Sequence, residues 1–268
     1  MKTNTLARLP EMGTLDTCNR YRGMLQILMF NWPLYAVAFA IFALAGAALP
    51  LLRIGLIFKG VVVIGIGCAL FWTFTSLLVS HWIYDLSGLT RWNWIRNFIP
   101  THINRAASIH CGFDESRGAL HRVFPAATIV VWDIYQPDLM TGGSIARARK
   151  ICPSTSITTP ADFARLPATA NTLDAVFLLF AAHEIRLSEA RENFFHELFR
   201  ILKPGGTVLL VEHLRDWRNL LAFGPGFLHF LPEKEWLRLS KKAGFLKIAQ
   251  ERITPFVLVL TLSKPENL

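Results

Sequence analysis

Two His–Glu neighbours close apolar runs in the second half of the chain. One run is Leu173-Asp-Ala-Val-Phe-Leu-Leu-Phe-Ala-Ala-His183, followed by Glu184; the other is Thr207-Val-Leu-Leu-Val-Glu212, followed by His213. A third histidine, His229, lies in a nearby loop. Imidazole titrates near neutrality, so His183, His213 and His229 are candidates for a general base, with Glu184 and Glu212 to position a polar acceptor. Satisfying loop backbones is an equally good use of polar residues at strand ends. Adjacent residues on a strand point to opposite faces, so no metal site is expected from these pairs. Arg186 is placed to pair with Glu184 or to hold an anionic group.

Earlier in the chain, His110-Cys-Gly-Phe-Asp-Glu-Ser116 carries a glycine, Gly112, at which a backbone can approach a ligand closely. A helix starting near Glu115 would aim its free N–H groups at the same place. Asp133 ends Val130-Val-Trp-Asp133, about twenty residues after Gly112, where a carboxylate suits the two hydroxyls of a ribose. An N-cap for the following helix is the alternative role for Asp133.

These residues need a scaffold that brings strand ends together. The expected strands are 107–111, 128–133, 174–180, 207–211, 246–253 and 256–262. Phe194, Phe195, Leu198, Phe199 and Leu202 have helical spacing over 189–202, and Lys203-Pro-Gly-Gly206 is the expected stop. A second helix spans 233–243, opened by Pro232 and closed at Gly244. Strand–helix alternation predicts an α/β domain with a doubly wound, mostly parallel sheet, whose last two strands form an edge hairpin. Ligands in such sheets sit beyond the carboxyl ends of the strands.

With these motifs in order, the segment 105–265 resembles the class I S-adenosylmethionine-dependent methyltransferases, particularly the branch with quinone-biosynthesis enzymes. Arg200 to Gly206 and the strand after it match the family's R-x-L-K-P-G-G segment. Asp162 to Pro167 match its D-x-x-x-L-P loop, and Asp133, Ile134 and Met140 match its D-I-x…M. The resemblance implies a seven-stranded sheet and S-adenosylmethionine as cofactor. It places Gly112 under the methionine part, Asp133 on the ribose with Ile134 beside it, and Asp162 and Phe163 at the adenine. Where the family has an acid and Gly-x-Gly-x-Gly, this chain has His110, Gly112, Asp114 and Ser116. Asp114 is then the group expected to meet the cofactor's α-ammonium. Methyl transfer from a sulfonium is an in-line displacement that relies on close placement of the acceptor. His183, Glu184, His213 and His229 are the residues expected to place or deprotonate it.

The remainder of the chain points to a membrane. Of 268 residues, 52% are hydrophobic and 18% charged, with a mean hydropathy of +0.36. Asp, Glu, Lys and Arg are missing from 23–52 and again from 60–84. About 20 apolar residues cross a bilayer, so the sequence predicts two transmembrane helices within 23–86, after a polar tail over 1–22. Mixed charges before the first run, and its length, argue against a cleaved signal peptide. Arg8, Arg20 and Arg22 precede the spans and Arg91, Arg96 and Arg105 follow them, against Arg53 and Lys59 between them. The bias predicts a two-span membrane protein with both termini and the globular domain, 105–268, in the cytoplasm. Segment 87–104, with Trp92, Trp94 and Phe98 among arginines, is expected at the headgroup level.

The net charge of +9 is better explained by anionic headgroups than by nucleic acid, for which no motif is present. Cys18, Cys68, Cys111 and Cys152 show no paired spacing and predict neither disulfide nor zinc. Trp217, Leu220, Leu221, Phe223, Phe227 and Phe230, broken by Gly224-Pro-Gly226, form either core or a hinged lid. The expected function is methyl transfer to a small, apolar, lipid-like acceptor in the membrane. A membrane adaptor that keeps the fold without the chemistry is the alternative. A nucleotide-dependent oxidoreductase is disfavoured because no G-x-G-x-x-G follows the first strand.

Overall fold

In the computed structural model, residues 20–51, 53, 55–100, 102–112, 114, 116–153 and 158–266 are described. The expected tail over 1–22, apart from its last three residues, and Glu115 at the expected helix start lie outside them.

Seven strands form one sheet. In chain order they are β1 (Arg105–His110), β2 (Thr128–Asp133), β3 (Thr159–Pro160), β4 (Leu173–Leu179), β5 (Leu202–His213), β6 (Leu246–Thr254) and β7 (Val257–Ser263). Their spatial order is β3-β2-β1-β4-β5-β7-β6. Pairing is parallel from β3 to β5, and β7 runs antiparallel to both β5 and β6. This is the doubly wound sheet that the strand–helix alternation predicts. The order reverses between β1 and β4, which sets a ligand crevice at their carboxyl ends.

Both faces of the sheet are covered. On one, α5 (Ser188–Ile201) and α7 (Glu233–Ala243) bury Phe194, Phe195, Leu198, Trp236 and Leu239. On the other, α3 (Arg117–Val123) packs with Leu89, Trp92, Ile95, Ile99 and Ile103. Segment 87–104 therefore differs from its expected place among headgroups. Trp92 is buried, Arg96 donates to the Val123 carbonyl, and the aromatic residues belong to the domain's core. Apolar spacing that fits an interfacial segment fits a core-facing one equally well.

One strand lies outside the expected set, and one local expectation changes. β3 has only two residues, one of them proline, too short for a period-2 pattern. Lys203-Pro-Gly-Gly206 does not stop a helix: α5 ends at Ile201, and the four residues form an irregularity within β5, opposite Leu173 to Ala175. Gly205 has φ +76, and a Cβ on Gly206 would lie 2.8 Å from the Lys203 carbonyl oxygen. The two glycines thus let the chain fold out and rejoin the ladder.

Ahead of the domain, α1 (Arg22–Ala48) and α2 (Leu56–His81) form a hairpin, continued by a π-helical turn, Trp82–Leu86. Both helices are long and apolar enough to cross a membrane, by length and composition. Asp85 in the π turn holds the start of α1: its carboxylate accepts the Gly23 N–H at 2.6 Å and the Met24 N–H at 3.2 Å. Negative charge at a helix N-terminus satisfies free N–H groups and the dipole. The hairpin also touches the domain. Arg147 of α4 (Gly143–Ile151) donates to the Phe30 carbonyl at 2.5 Å. Gly224, just after α6 (Trp217–Phe223), packs so closely on Trp72 that a Cβ would lie 2.7 Å from the ring. Farther from the domain, Phe39, Leu44, Leu56, Ile57 and Phe58 are exposed.

Candidate active site

The carboxyl ends of β1, β4 and β5 open on a cavity of about 1230 Å³. Its floor includes His110, Gly112, Asp114, His183, Glu184, His213 and His229, and it continues between the two hairpin helices past Trp72 to Leu34, Ala38 and Gly65.

At the acceptor end, β4 gives way to Phe180, a left-handed residue at φ 55, and then to a 3-10 turn, Ala182–Glu184. The turn brings His183 and Glu184 to the same side, so the opposite-face argument that disfavoured a metal does not hold here. His183 Nδ1 lies 2.6 Å from Glu212 Oε2, and the His183 N–H reaches Glu212 Oε1 at 3.2 Å. Glu212 is fully buried. Its bond to Nδ1 fixes the ring so that Nε2 faces Glu184 Oε1 at 3.6 Å, with His229 Nε2 at 3.4 Å from the same oxygen. Burial disfavours the charged form of His183, but Glu212 and Glu184 outweigh it and lift the pKa to about 10. Burial likewise opposes ionisation of Glu184, and the two histidines overcome it and hold its pKa below the ordinary value.

His213 is elsewhere in chemistry though on the same cavity. Nδ1 lies 3.1 Å from the Phe256 carbonyl and Nε2 2.8 Å from the Tyr84 hydroxyl. Since a carbonyl only accepts, the proton is on Nδ1 and Tyr84 O–H donates to Nε2. The ring stacks on Phe230 at 4.9 Å, and burial lowers its pKa to about 4. Both nitrogens are used, so His213 is neutral and has no nitrogen left for an acceptor's proton. Arg186 neither pairs with Glu184 nor faces an anion: its guanidinium donates to the carbonyls of His183 and His229, at 3.1 and 2.8 Å.

At the cofactor end, β1 and β2 place His110 beside Asp133 in register. Gly112 adopts φ +143, open to glycine alone in practice. The Gly112 N–H donates to His110 Nδ1 at 3.0 Å, which leaves Nε2 carrying the proton. That Nε2 is buried with no hydrogen-bond partner, and the residue lines the cavity. Asp114 Oδ1 accepts from the Ser116 N–H and hydroxyl at 2.9 and 2.7 Å, an Asx turn that opens α3. Asp133 is buried; Oδ1 accepts the Tyr135 N–H at 3.1 Å and Oδ2 pairs with Arg149 Nη1 at 2.7 Å. Ile134 is fully buried beside it.

Asp162 caps its own loop through the Ala164 N–H and takes a bond from Gln136, while the Phe163 ring lies in the core against Phe194. Phe163 can therefore offer an adenine only its backbone. Asp133, Ile134, Asp162 and Phe163 are not on the cavity's lining. The sequence reading missed Tyr84 and Arg149. Nothing local marks Tyr84, at the end of an apolar run, as a partner of His213, or Arg149, on α4, as a partner of Asp133.

The comparisons with known proteins agree with this architecture. Residues 109–210 match a family described as the methyltransferase domain, a stretch from β1 into β5. No curated protein matches the sequence significantly. Among solved structures, the chain is similar to a SAM-dependent methyltransferase from Aquifex aeolicus, with 17% identity over 66% of this chain and 93% of that one and a TM-score of 0.50. It is also similar to a SAM-dependent methyltransferase from Methanosarcina mazei, with 17% identity over 64% and 96% and a TM-score of 0.46. A third, human N-acetylserotonin methyltransferase in complex with SAM, is 16% identical over 72% and 55%, with a TM-score of 0.48. Residues 109–210 thus carry a methyltransferase domain, and the sheet order and the likeness to the Aquifex aeolicus structure show the class I methyltransferase fold. Methyl transfer with S-adenosylmethionine as cofactor is the activity that this domain supports.

The residues at the cofactor end fit that molecule. The side-chain-free face of Gly112 and the unpartnered His110 N–H are suited to a ligand's polar chain. One group stands in the way: Arg149 lies against Gly112, its Cγ 2.4 Å from where a Cβ would be.

Proposed function

We propose that the enzyme is anchored by its α1–α2 hairpin and methylates an apolar, membrane-associated small molecule that reaches the site between the hairpin helices. The observation that carries this reading is the cavity itself, which runs without a break from His110 and Glu184 to Ala38 and Gly65 on the apolar hairpin. Its walls are largely apolar, and several of its lining residues keep a polar atom unsatisfied. Trp72 Nε1, Ser80 Oγ and Glu184 Oε2 are buried and have no hydrogen-bond partner. An apolar tunnel with sparse convergent donors and acceptors suits a lipid-like body with one polar end. The exposed apolar side chains of α1 and α2 favour a bilayer around that tunnel. The excess of arginine at the domain end favours a cytoplasmic domain.

In this reading Asp133 holds the ribose, Gly112 lies under the methionine part and Asp162 is near the adenine. His110 supplies a donor where the family has an acid, which suits the cofactor's carboxylate; Asp114, which holds Ser116 through Oδ1, is the group for the α-ammonium. S-adenosylmethionine supplies the electrophilic methyl group. Glu184, His183 and His229 meet the acceptor's polar end and align it with the methyl. The cofactor would carry that methyl on a sulfonium, to be displaced onto the acceptor, whose proton would pass by way of the Glu184 carboxylate to solvent. Placement within reach of the methyl provides most of the acceleration.

Full-length protein in lipid nanodiscs, supplied with methyl-labelled cofactor and a total lipid extract, tests the reading. Label is expected in the organic phase. Ala69→Trp, which fills the tunnel between the helices, should cut that transfer at least tenfold with S-adenosylhomocysteine affinity unchanged. Label confined to water-soluble products, or an unaltered rate in the Ala69→Trp variant, would overturn the proposed route.

A further inference from the structure

His183, Glu184 and His229 each offer one ligand atom, and the three atoms lie within 4.8 Å of one another. Hydrogen bonds do not explain the spacing well. Glu184 Oε1 is 3.6 Å from His183 Nε2 and 3.4 Å from His229 Nε2, beyond the usual 2.7–3.2 Å. Ligand atoms about 2.0–2.1 Å from one tetrahedral ion are about 3.4 Å apart, which matches both edges. Among the described residues, the ion pairs of Glu184 and Glu212 are with histidines only, so two buried carboxylates converge here without a lysine or arginine. Glu184 Oε2 has no hydrogen-bond partner.

The surrounding shell is also that of a metal site. Glu212 holds His183 by Nδ1, as the outer carboxylate in a carboxylate–histidine–metal arrangement does, and leaves Nε2 free to ligate. Arg186 ties the two histidine-bearing loops together through both histidine carbonyls. All three ligand residues line the cavity.

We propose that His183 Nε2, His229 Nε2 and the Glu184 carboxylate bind a divalent transition-metal ion of the zinc class, whose open position faces the cavity and takes an oxygen or nitrogen donor of the acceptor. Two imidazoles and one carboxylate with an open position are a donor set suited to such an ion. Bound there, the ion would ease loss of the proton from the acceptor's donor atom and fix its direction. The metal half of the proposal stands on the ligand geometry alone, and the acceptor half rests on the function proposed above.

The test uses the full chain in detergent or nanodiscs, stripped with a chelator and titrated with Zn²⁺ and with Co²⁺. One ion per chain is expected, with the visible absorption of four-coordinate Co²⁺. His229→Ala and Glu184→Gln should each weaken binding by tenfold or more, and Glu212→Gln by about 10–100-fold, as outer-sphere partners do. His229 is partly exposed, so His229→Ala keeps the test valid should either glutamate variant fail to fold. No binding of either ion at 1:1 stoichiometry, or binding unchanged in His229→Ala, would overturn the site. Chelation should also reduce methyl transfer at least tenfold without changing S-adenosylhomocysteine affinity. Metal binding with transfer indifferent to chelation would leave the site standing and overturn its role with the acceptor.

Discussion

The acceptor and cofactor sides of the proposed site, the second lying partly behind the cavity's lining, are built in opposite ways. At the acceptor end the polar groups are in place: Glu212 orients His183, Arg186 ties two loops, and Tyr84 fixes His213. At the cofactor end they are engaged with one another, Asp133 with Arg149 and Asp114 with Ser116. A buried network whose members are mutually satisfied is rigid, whereas a pair that must part for a ligand is a gate. On the proposed assignment the acceptor end is preorganised, and the cofactor end opens before it binds. The contrast separates two costs of binding: one paid in folding, the other paid each time a cofactor enters.

The largest expected effect falls on the gated end. Two ribose hydroxyls on a charged acceptor at about 1.5–3 kcal/mol each make Asp133→Ala weaken cofactor binding by about a thousandfold. Calorimetric titration with S-adenosylhomocysteine measures it, and wild-type affinity in the variant would remove Asp133 from the site and with it the gate. Glu184→Gln in the same titration should change affinity less than threefold, because the preorganised end does not touch the ribose.

The preorganised end shows itself in pH dependence. His213 is neutral when folded, with its pKa lowered from 6.5 to about 4 by burial. In the unfolded chain it takes a proton near pH 6.5. The stabilisation is therefore complete above pH 6.5 and is lost as pH falls toward 4, about 3 kcal/mol in all. His183 acts in the other direction and in another window: its pKa, raised to about 10, gives stability present below pH 6.5 and lost as pH rises through 10. Thermal unfolding between pH 4 and 6.5 should therefore show a smaller slope for His213→Gln than for the wild type. Equal slopes would mean that His213 is not held neutral.

The joint between hairpin and domain carries a smaller effect. Gly224 has φ +54 and meets the Trp72 ring closely. Gly224→Ala adds both backbone strain and overlap, about 2 kcal/mol. Its unfolding midpoint should drop while Gly226→Ala, whose Cβ would be 3.9 Å from its nearest neighbour, changes little. Trp72→Ala combined with Gly224→Ala should recover part of the loss if the clash with the ring is its cause.

How much of this was legible in the sequence follows from distance along the chain. The rule that ligands gather at strand ends pointed to His183, Glu184 and His213, which line one cavity with the loop residue His229, because β4 and β5 are apolar runs with clear ends. The helix 233–243 was read to the residue, since Pro232 and Gly244 mark both ends. What escaped depends on conformation or on pairs far apart. A 3-10 turn at Ala182–Glu184 cannot be told from a continued strand by pattern, yet it turns two side chains to one side. Trp92 and Ile95 have the composition of an interface and the position of a core. Tyr84 and His213 are 129 residues apart, and nothing in either local pattern names the other.

Arg149 decides whether the contrast between the two ends is functional, and it gives the smallest effect. Its guanidinium holds Asp133 at 2.7 Å, reaches the Cys111 carbonyl at 3.2 Å and lies over Tyr135 at 4.3 Å. If these contacts close the site, removing them favours the cofactor. Arg149 is about a quarter exposed, which weakens the pair through solvent screening. Arg149→Ala should therefore tighten S-adenosylhomocysteine binding only about three- to tenfold, mainly through faster association, since opening no longer precedes entry. Arg149→Lys keeps the charge but loses the planar fork, and it should fall between the two. Weaker binding in Arg149→Ala would reverse the assignment: the arginine would then be a ligand of the bound cofactor, and the cofactor end as preorganised as its counterpart.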